Sequence, residues 1–242
     1  MKKIYFALAA LMMATTINAQ TVKLYKGETL VQEYTADQVD RVVFAETEAE
    51  PEVTGMNGTA KATIEGQLQD VAWVQMWADG PRFATVNVGV TNGKVDACGG
   101  YYTWGGSASM DDAYSSSLTD IQGTDEDTAK KLWGDNWMMP TKDDLQGLLD
   151  NCDCTTTYEY NTTCTKFTGR GDYAGQVLIL PWAGMCTFGS VYDIYAGDYW
   201  SSTPQSDDWG NYASLLEISD YNCYVARSYG NIGYSVRAIL SK

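Results

Sequence analysis

The pattern of apolar and polar positions predicts a chain made mostly of short strands. Near the start, apolar and polar side chains alternate on both sides of a Lys-Gly-Glu turn, which predicts a β-hairpin. Further on, short runs rich in Val, Ile, Leu and aromatic residues are bounded by Gly, Pro, Asn and Asp, as strands usually are. These runs occupy residues 71–77, 82–88, 177–181, 212–219, 222–229 and 234–240. The last run is expected to be a central closing strand.

Two stretches have the period of an amphipathic helix and begin at a capping residue. Thr124 is predicted to cap the first helix, with Asp127 three residues later. Thr141 precedes Asp144 by three residues, which predicts an aspartate version of the capping box. The spacing i, i+3, i+4 and i+7 predicts one apolar face made of Leu145, Leu148, Leu149 and Cys152. Two helices among short strands predict an α+β domain.

Composition divides the chain into four segments. Residues 1–19 have the basic start, short apolar core and small final residue of a secretory signal peptide, with cleavage expected after Ala19. Residues 20–45 contain the predicted hairpin and are interpreted as a small adaptor. Residues 46–60 are acidic and contain Pro and Gly, which is typical of a linker. Residues 61–242 have the size of one domain, and no later apolar run is long enough to span a membrane.

The acidic composition excludes several classes of partner, and the absence of histidine excludes several kinds of catalytic and metal site. The chain has 16 basic and 31 acidic residues, and removing residues 1–19 with their two lysines leaves 14 − 31 = −17. Such a surface repels nucleic acid and anionic membranes. The chain contains no histidine, which excludes Ser-His-Asp and Cys-His nucleophiles and every histidine-based metal site. No cofactor is expected.

Six cysteines follow the predicted signal peptide: Cys98, Cys152, Cys154, Cys164, Cys186 and Cys223. Export places them in an oxidising compartment, so disulfides are expected. Six thiols allow 15 pairings, which the sequence leaves open, although Cys186 or Cys223 is expected to pair within the C-terminal half. A zinc site is not expected, because the Cys-Asp-Cys motif at 152–154 lacks the usual two-residue spacer.

Several short motifs resemble those of one known family, in the same order. They read FATVNVG at 83–89, GGYYTWG at 99–105, WGDNWMMPT at 133–141, LILPWAG at 178–184, YWSST at 199–203 and YSVRAI at 234–239. The resemblance covers roughly residues 70–240 and is to the Fibrobacter succinogenes major paralogous domain family. It implies a C-type lectin-like fold of the branch that includes the formylglycine-generating enzymes, and it implies fold more firmly than function. The tryptophans of these motifs are expected in the core: Trp104, Trp137, Trp182 and Trp200.

Between the last two motifs the chain is rich in Tyr, Ser, Asn, Asp and Gly and poor in Val, Ile and Leu. This composition is typical of a binding surface, because Tyr and Trp give large contact area with few rotatable bonds. The candidate ligand-binding residues are Asp207, Asp208, Trp209, Asn211, Tyr212, Tyr221, Asn222, Tyr224, Arg227, Tyr229 and Asn231. The Glu-Pro-Asn or Gln-Pro-Asp signature of calcium-dependent lectins is missing, so no required metal ion is expected.

The sequence thus predicts an exported, non-catalytic recognition module that binds a surface glycan or protein through this polar-aromatic face, for example in adhesion. Two alternatives stay open. A thiol-dependent exported enzyme of the formylglycine-generating branch would use Cys186 or Cys223, which lie in the corresponding half of the chain. A structural subunit of a surface appendage would use residues 20–45 for docking.

Overall fold

The computed structural model describes residues 21–26, 29–35, 57–107, 113–205, 207, 210–220 and 222–241. The chain divides into an N-terminal unit, Met1–Glu52, and a large unit, Val53–Lys242. The predicted signal peptide and residues 46–56 of the predicted linker lie outside the described residues. Both assignments therefore stay predictions.

The N-terminal unit contains the predicted hairpin. Strand β1 (Thr21–Lys26) pairs antiparallel with β2 (Thr29–Thr35), and the register shifts between Leu24 and Tyr25. The sequence of each strand alternates apolar and polar residues, which gives an antiparallel pair two unlike faces. The adaptor role of this hairpin stays a prediction.

The large unit consists mostly of antiparallel strands, with two short α-helices in its described part. Its strands are β3 (Asn57–Ile64), β4 (Gln67–Gln75), β5 (Arg82–Ala84), β6 (Trp137–Met138), β7 (Cys152–Thr157), β8 (Cys164–Gly169), β9 (Val177–Pro181), β10 (Met185–Thr187), β11 (Ser190–Tyr192), β12 (Gly197–Pro204), β13 (Tyr212–Ile218), β14 (Cys223–Tyr229) and β15 (Ile239–Leu240). They form a five-stranded sheet in the order β3-β4-β5-β15-β6, two three-stranded sheets, β7-β8-β9 and β12-β13-β14, and the hairpin β10-β11. Helices on mostly antiparallel strands fit the predicted α+β class.

The strands agree with the sequence pattern in position more than in length. The run at 177–181 is β9, and β13 and β14 lie where strands were predicted. The strand predicted at 82–88 ends at Ala84, and the one predicted at 234–240 contains only the two residues of β15, which lies centrally between β5 and β6. Between them the two segments exchange single hydrogen bonds, such as Val88 N–H to Val236 carbonyl, rather than a continuous ladder.

The large unit also starts earlier than the predicted boundary at residue 61. Strand β3 begins at Asn57, so residues 57–60 of the predicted linker belong to the sheet. These residues alternate between exposed and half-buried positions, and the alternation continues into the rest of β3. The two-residue period could not be recognised in the sequence, because short side chains such as Thr59 and Ala60 differ little in hydrophobicity.

The second helix, α2 (Lys142–Asn151), has the cap and the face that the sequence predicts. The Thr141 hydroxyl accepts the Asp144 N–H at 3.1 Å, and the Asp144 carboxylate accepts the Thr141 N–H at 2.8 Å. This is the predicted capping box. The predicted apolar face is turned inwards, and its buried members are Leu145, Leu148 and Cys152.

The first helix, α1 (Thr128–Trp133), is capped by Asp127 and not by Thr124, so that prediction was wrong. Thr124 instead stabilises a turn that precedes the helix, because its hydroxyl donates to the Ile121 carbonyl. The fully buried Asp127 carboxylate accepts backbone N–H groups from Gly123, Ala129, Lys130 and Met139. Burial raises the pKa of Asp127, while these four donors favour its charged form.

The sheet β12-β13-β14 separates two hydrophobic clusters. Because side chains alternate along a strand, Trp200 and Leu215 pack into one cluster. Tyr199 and Leu216 pack into the other. The tryptophans of the family-like motifs are all buried, as predicted: Trp104, Trp137, Trp182 and Trp200. The hairpin β13-β14 is therefore anchored by core residues on both of its faces.

A buried arginine joins two of the sheets. Arg237 is 1% exposed and donates to the Asn87 side-chain oxygen at 2.8 Å. It also donates to the carbonyl oxygens of Ala84 at 3.0 Å and Ile179 at 2.9 Å. Burial lowers the pKa of Arg237 to about 10, so the guanidinium is charged at neutral pH. Its three bonds connect the five-stranded sheet with β9.

Candidate functional site

The hairpin β13-β14 displays most of the described candidate residues. The strands are antiparallel, with Tyr212 opposite Tyr229 and Ser214 opposite Arg227. Side chains two residues apart on a strand share a face. Tyr212, Arg227 and Tyr229 therefore lie on the same face of the sheet, at the end where β14 finishes.

These residues and Asp207 form what we call the aromatic cluster. The Tyr212 and Tyr229 ring centroids are 4.4 Å apart, with the ring planes tilted by 35°. The Arg227 guanidinium carbon lies 4.6 Å from the Tyr212 ring centroid, which is a cation–π contact. Arg227 Nη1 also donates to Asp207 Oδ2 at 2.8 Å. The cluster is thus a stacked ring pair with an arginine held in place by a carboxylate.

The backbone around the cluster explains why the rings approach so closely. Gly210 exchanges backbone hydrogen bonds with Asp207, and Gln205 N–H donates to the Tyr212 carbonyl at 2.8 Å. A side chain at Gly210 would come within 3.2 Å of the Tyr212 ring and 3.4 Å of the Tyr229 ring. Glycine at this position therefore leaves the space that the ring pair occupies.

The aromatic cluster is open to solvent and carries little net charge. Tyr229 is 51% exposed, and the side chains of Arg227 and Asp207 are 48% and 32% exposed. The pKa of Tyr212 is raised, first because its hydroxyl hydrogen-bonds Tyr229, so the ring is neutral at ordinary pH. Arg227 and Asp207 balance each other within an otherwise acidic protein.

The structure separates other predicted residues from this cluster. Tyr224 lies five residues before Tyr229, about 17 Å away along an extended strand and on its opposite face. Its hydroxyl bonds Glu217, which raises the pKa of Tyr224. Asn222 lies in the turn before β14, where its carbonyl accepts the Ser219 N–H at 2.9 Å. Tyr224 and Asn222 therefore do not join the cluster.

Two predicted asparagines flank the cluster, and three predicted residues are not described. Asn211 and Asn231 are exposed, one just before Tyr212 and the other two residues after Tyr229. The Asn211 carbonyl accepts the Gly230 N–H at 3.3 Å, which closes the end of the hairpin. The candidates outside the described residues are Asp208, Trp209 and Tyr221.

A second exposed aromatic surface was missed by the sequence analysis. It is the hairpin β10-β11 with the loop that follows it. Phe188 at its turn is fully exposed and has φ of 47°. The other exposed apolar side chains there are Val191, Tyr192, Ile194 and Tyr195. The only available signal was the Phe-Gly pair at 188–189 between two short apolar runs, which is a weak hairpin pattern.

The opposite face of the β12-β13-β14 sheet carries two carboxyl groups side by side. Asp198 of β12 lies directly opposite Glu217 of β13, and Asp198 is only 7% exposed. Burial, together with Glu217 and Asp193, raises the pKa of Asp198 to about 7. Like charges directly opposite each other destabilise a sheet, so Asp198 holds its proton below about pH 7.

The six cysteines are all thiols in this structure, so the expected disulfides stay a prediction. Cys154 and Cys223 bring their sulfur atoms to 2.9 Å. Cys186 is 4% exposed, and burial raises its pKa. A buried thiol with a raised pKa has the properties of an inert cysteine rather than a reactive one.

The described residues contain little else that resembles a catalytic centre. A small pocket of about 170 Å³ lies beside Ser115, Glu126 and Lys131, where the serine hydroxyl donates to the glutamate. No three Asp, Glu or Cys side chains of these parts of the chain come together in a way that could hold a metal ion. No helix within them is long and apolar enough to cross a membrane.

Comparison of the chain with protein-family models, with curated proteins and with solved structures finds no match. The family resemblance and the lectin-like fold therefore stay predictions.

Proposed function

We propose that this protein is an exported, non-catalytic recognition module that binds an extracellular glycan or protein through the aromatic cluster. The observation that carries this proposal is the Tyr212–Tyr229 ring pair, in which Tyr229 is exposed and Tyr212 half-buried, with Arg227 fixed against it. Tyr and Arg are the residue types that dominate the binding energy of recognition surfaces. Of the described candidates, the cluster contains Asp207, Tyr212, Arg227 and Tyr229, flanked by Asn211 and Asn231. Asp208, Trp209 and Tyr221 lie outside the described residues and stay predictions.

The geometry of the cluster favours binding because its side chains are already ordered. Immobilising a flexible side chain on binding costs about 0.5–1.5 kcal/mol. Here the ring pair, the cation–π contact and the Asp207 ion pair hold three long side chains before any ligand arrives. The exposed Tyr229 ring offers an apolar face to a sugar or an apolar side chain, and Arg227 and Asp207 offer a donor and an acceptor beside it.

A lectin-like fold is part of the proposal. Two observations support this part: the family-like motifs follow one another in the order found in that family, and the two helices on mostly antiparallel strands agree with an α+β class. Core residues anchor both faces of the hairpin β13-β14. In this arrangement the hairpin can hold the aromatic cluster at its end in a fixed position. The thiol-enzyme alternative has less support at Cys186, because Cys186 is buried and burial raises its pKa. For Cys223 this alternative stays open.

The proposal is tested by presenting the mature protein to a glycan array and to a set of displayed extracellular proteins. The Tyr212→Ala/Arg227→Ala/Tyr229→Ala variant is expected to lose every ligand that the wild type retains, at least tenfold in affinity. Circular dichroism and thermal melting show that both proteins are folded. Ligands that bind the triple variant as tightly as the wild type would place the site elsewhere and contradict the proposal.

A further inference from the structure

Two thiols from different sheets meet beside the hairpin that carries the aromatic cluster. Cys154 lies in β7 and Cys223 opens β14, and their sulfur atoms are 2.9 Å apart. A covalent disulfide is about 2.05 Å long, so the sulfurs are about 0.9 Å from bonding distance. Cys154 is exposed and Cys223 is half-buried, so a small oxidant in solution can reach the pair.

The backbones on either side of this pair are already held together without a covalent bond. The Tyr158 hydroxyl, just after β7, donates to Asp220 Oδ1 at 3.3 Å in the turn before β14. Helix α2 contacts both β7 and β14. Contacts that do not involve the sulfurs therefore already hold the two strands close together, and the sulfurs need to approach by only about 0.9 Å to bond.

We infer that Cys154 and Cys223 are a redox-active pair that closes to an intramolecular disulfide, with a small-molecule disulfide such as oxidised glutathione as the oxidant. The inference does not depend on the proposed function. The hydrogen bond between the two thiols lowers the pKa of Cys154. Cys154 is thus the attacking sulfur of the pair, because the thiolate is the nucleophile.

The reaction is thiol–disulfide exchange in two steps. The Cys154 thiolate attacks one sulfur of oxidised glutathione, which breaks the glutathione disulfide, forms a mixed disulfide and releases one glutathione thiolate. Cys223 then gives up its proton and attacks the Cys154 sulfur, which forms the Cys154–Cys223 bond and releases the second glutathione. The pair loses two electrons and two protons, and the oxidant is reduced to two thiols.

The other cysteines are poorly placed for the same reaction. Cys152, Cys164 and Cys186 are buried. Burial raises the pKa of Cys152 to about 11 and that of Cys164 to about 12, and it raises the pKa of Cys98 and Cys186 as well. Oxidation should therefore begin at the exposed Cys154 and finish at Cys223, whose sulfur lies against it. The resulting bond would span 69 residues and tie the first residue of β14 to β7.

The test treats the full chain with oxidised glutathione and maps its peptides without reduction. Titratable thiols are expected to fall from six to four, with one cross-linked peptide that contains Cys154 and Cys223. Cys154→Ser and Cys223→Ser should each abolish that peptide, and Cys98→Ser is the matched control that should retain it. The oxidised protein should melt about 10 °C higher than the reduced one, because a long closed loop restricts the unfolded chain.

Each result is decisive. A Cys154–Cys223 peptide together with a reductant-sensitive melting temperature supports the inference, and the double serine variant should melt at a temperature independent of reductant. Cross-links between other cysteines, or six thiols that persist under oxidation, would overturn it. The peptide map of the wild type decides the question even if a variant fails to fold.

Discussion

The buried Asp198 makes a sharp prediction about how stability depends on pH. Its carboxyl lies opposite Glu217 in the sheet and is 7% exposed. Replacement by asparagine removes the titrating group and keeps the shape of the side chain. The titratable groups that face Asp198 are Glu217 from β13, Asp193 from the loop after β11, Tyr224 from β14 and Tyr234.

The magnitude follows from the pKa of Asp198, which rises from 3.8 to about 7 in the folded protein. Because the folded state holds this proton more tightly than the unfolded chain does, its contribution to stability is fully present below pH 4. That contribution is lost as the pH rises from about 4 to about 7. A difference of about three pKa units at about 1.4 kcal/mol each gives about 4 kcal/mol.

The assay is urea unfolding, followed by tryptophan fluorescence, of the wild type and Asp198→Asn at several values between pH 4 and pH 8. The unfolding free energy of the variant relative to the wild type should increase by about 4 kcal/mol across this range, since titrations that do not depend on the charge of Asp198 cancel in the difference. In the wild-type background, Glu217→Gln should reduce the stability that is lost between pH 4 and pH 8, because it removes one of the charges that raise the pKa of Asp198. In the Asp198→Asn background the same change should bring no such gain. A relative stability that stays constant within about 1 kcal/mol from pH 4 to pH 8 would refute the reasoning.

Three further predictions concern local stability and are checked by chemical or thermal unfolding. Asp127→Asn should destabilise the fold by about 3 kcal/mol, because an amide N–H₂ would face the backbone donors that now bind the carboxylate. As a control, Asn at the exposed Asp125 should change stability by less than about 0.5 kcal/mol. Equal effects of the two substitutions would contradict the role of Asp127. Phe188→Asn should stabilise the fold by about 1 kcal/mol, because Asn tolerates the positive φ of 47° and the exposed phenyl group buries no surface. A loss of stability would contradict this and would show that the ring has a packing partner. Thr141→Ala should cost about 1 kcal/mol through loss of the capping box, whereas Thr141→Ser should cost almost nothing.

Those parts of the fold that depend on local chemistry could be predicted from the sequence. The capping box at Thr141 and Asp144 lies within one helical turn, and the apolar face of α2 needs only the 3.6-residue period. Strand β9 is a continuous apolar run that ends at a proline. The hairpin β1-β2 needs only alternation and a turn.

The strands that escaped prediction are held by partners far away in sequence. β7 and β8 consist largely of Cys, Thr, Asp and Lys, so no apolar alternation marks them, and they exist because they pair with each other and with β9. The turn of β10-β11 places Phe188 in a left-handed conformation that usually calls for Asn or Gly. Asp127 and not Thr124 caps the helix, and its carboxylate also accepts the N–H of Met139, the residue directly after β6, which is far from the helix start in sequence.

The candidate site was predicted in part. The composition of residues 205–231 identified the hairpin that carries the cluster. The separation of Tyr224 from Tyr229 follows from the two-residue period of a strand and could have been read from the sequence. The pairing of Tyr212 with Tyr229 could not, since it depends on the register that the turn between β13 and β14 sets.

The central claim is that the aromatic cluster, and not the opposite face of the same hairpin, binds the ligand. Tyr229 and Tyr224 are matched for a direct test, because both lie on β14 and are 51% and 45% exposed. Isothermal titration of an array-selected ligand into the wild type, Tyr229→Ala and Tyr224→Ala should show at least tenfold weaker binding for Tyr229→Ala and less than a twofold change for Tyr224→Ala. Unchanged affinity in Tyr229→Ala, or a larger loss in Tyr224→Ala, would contradict the account.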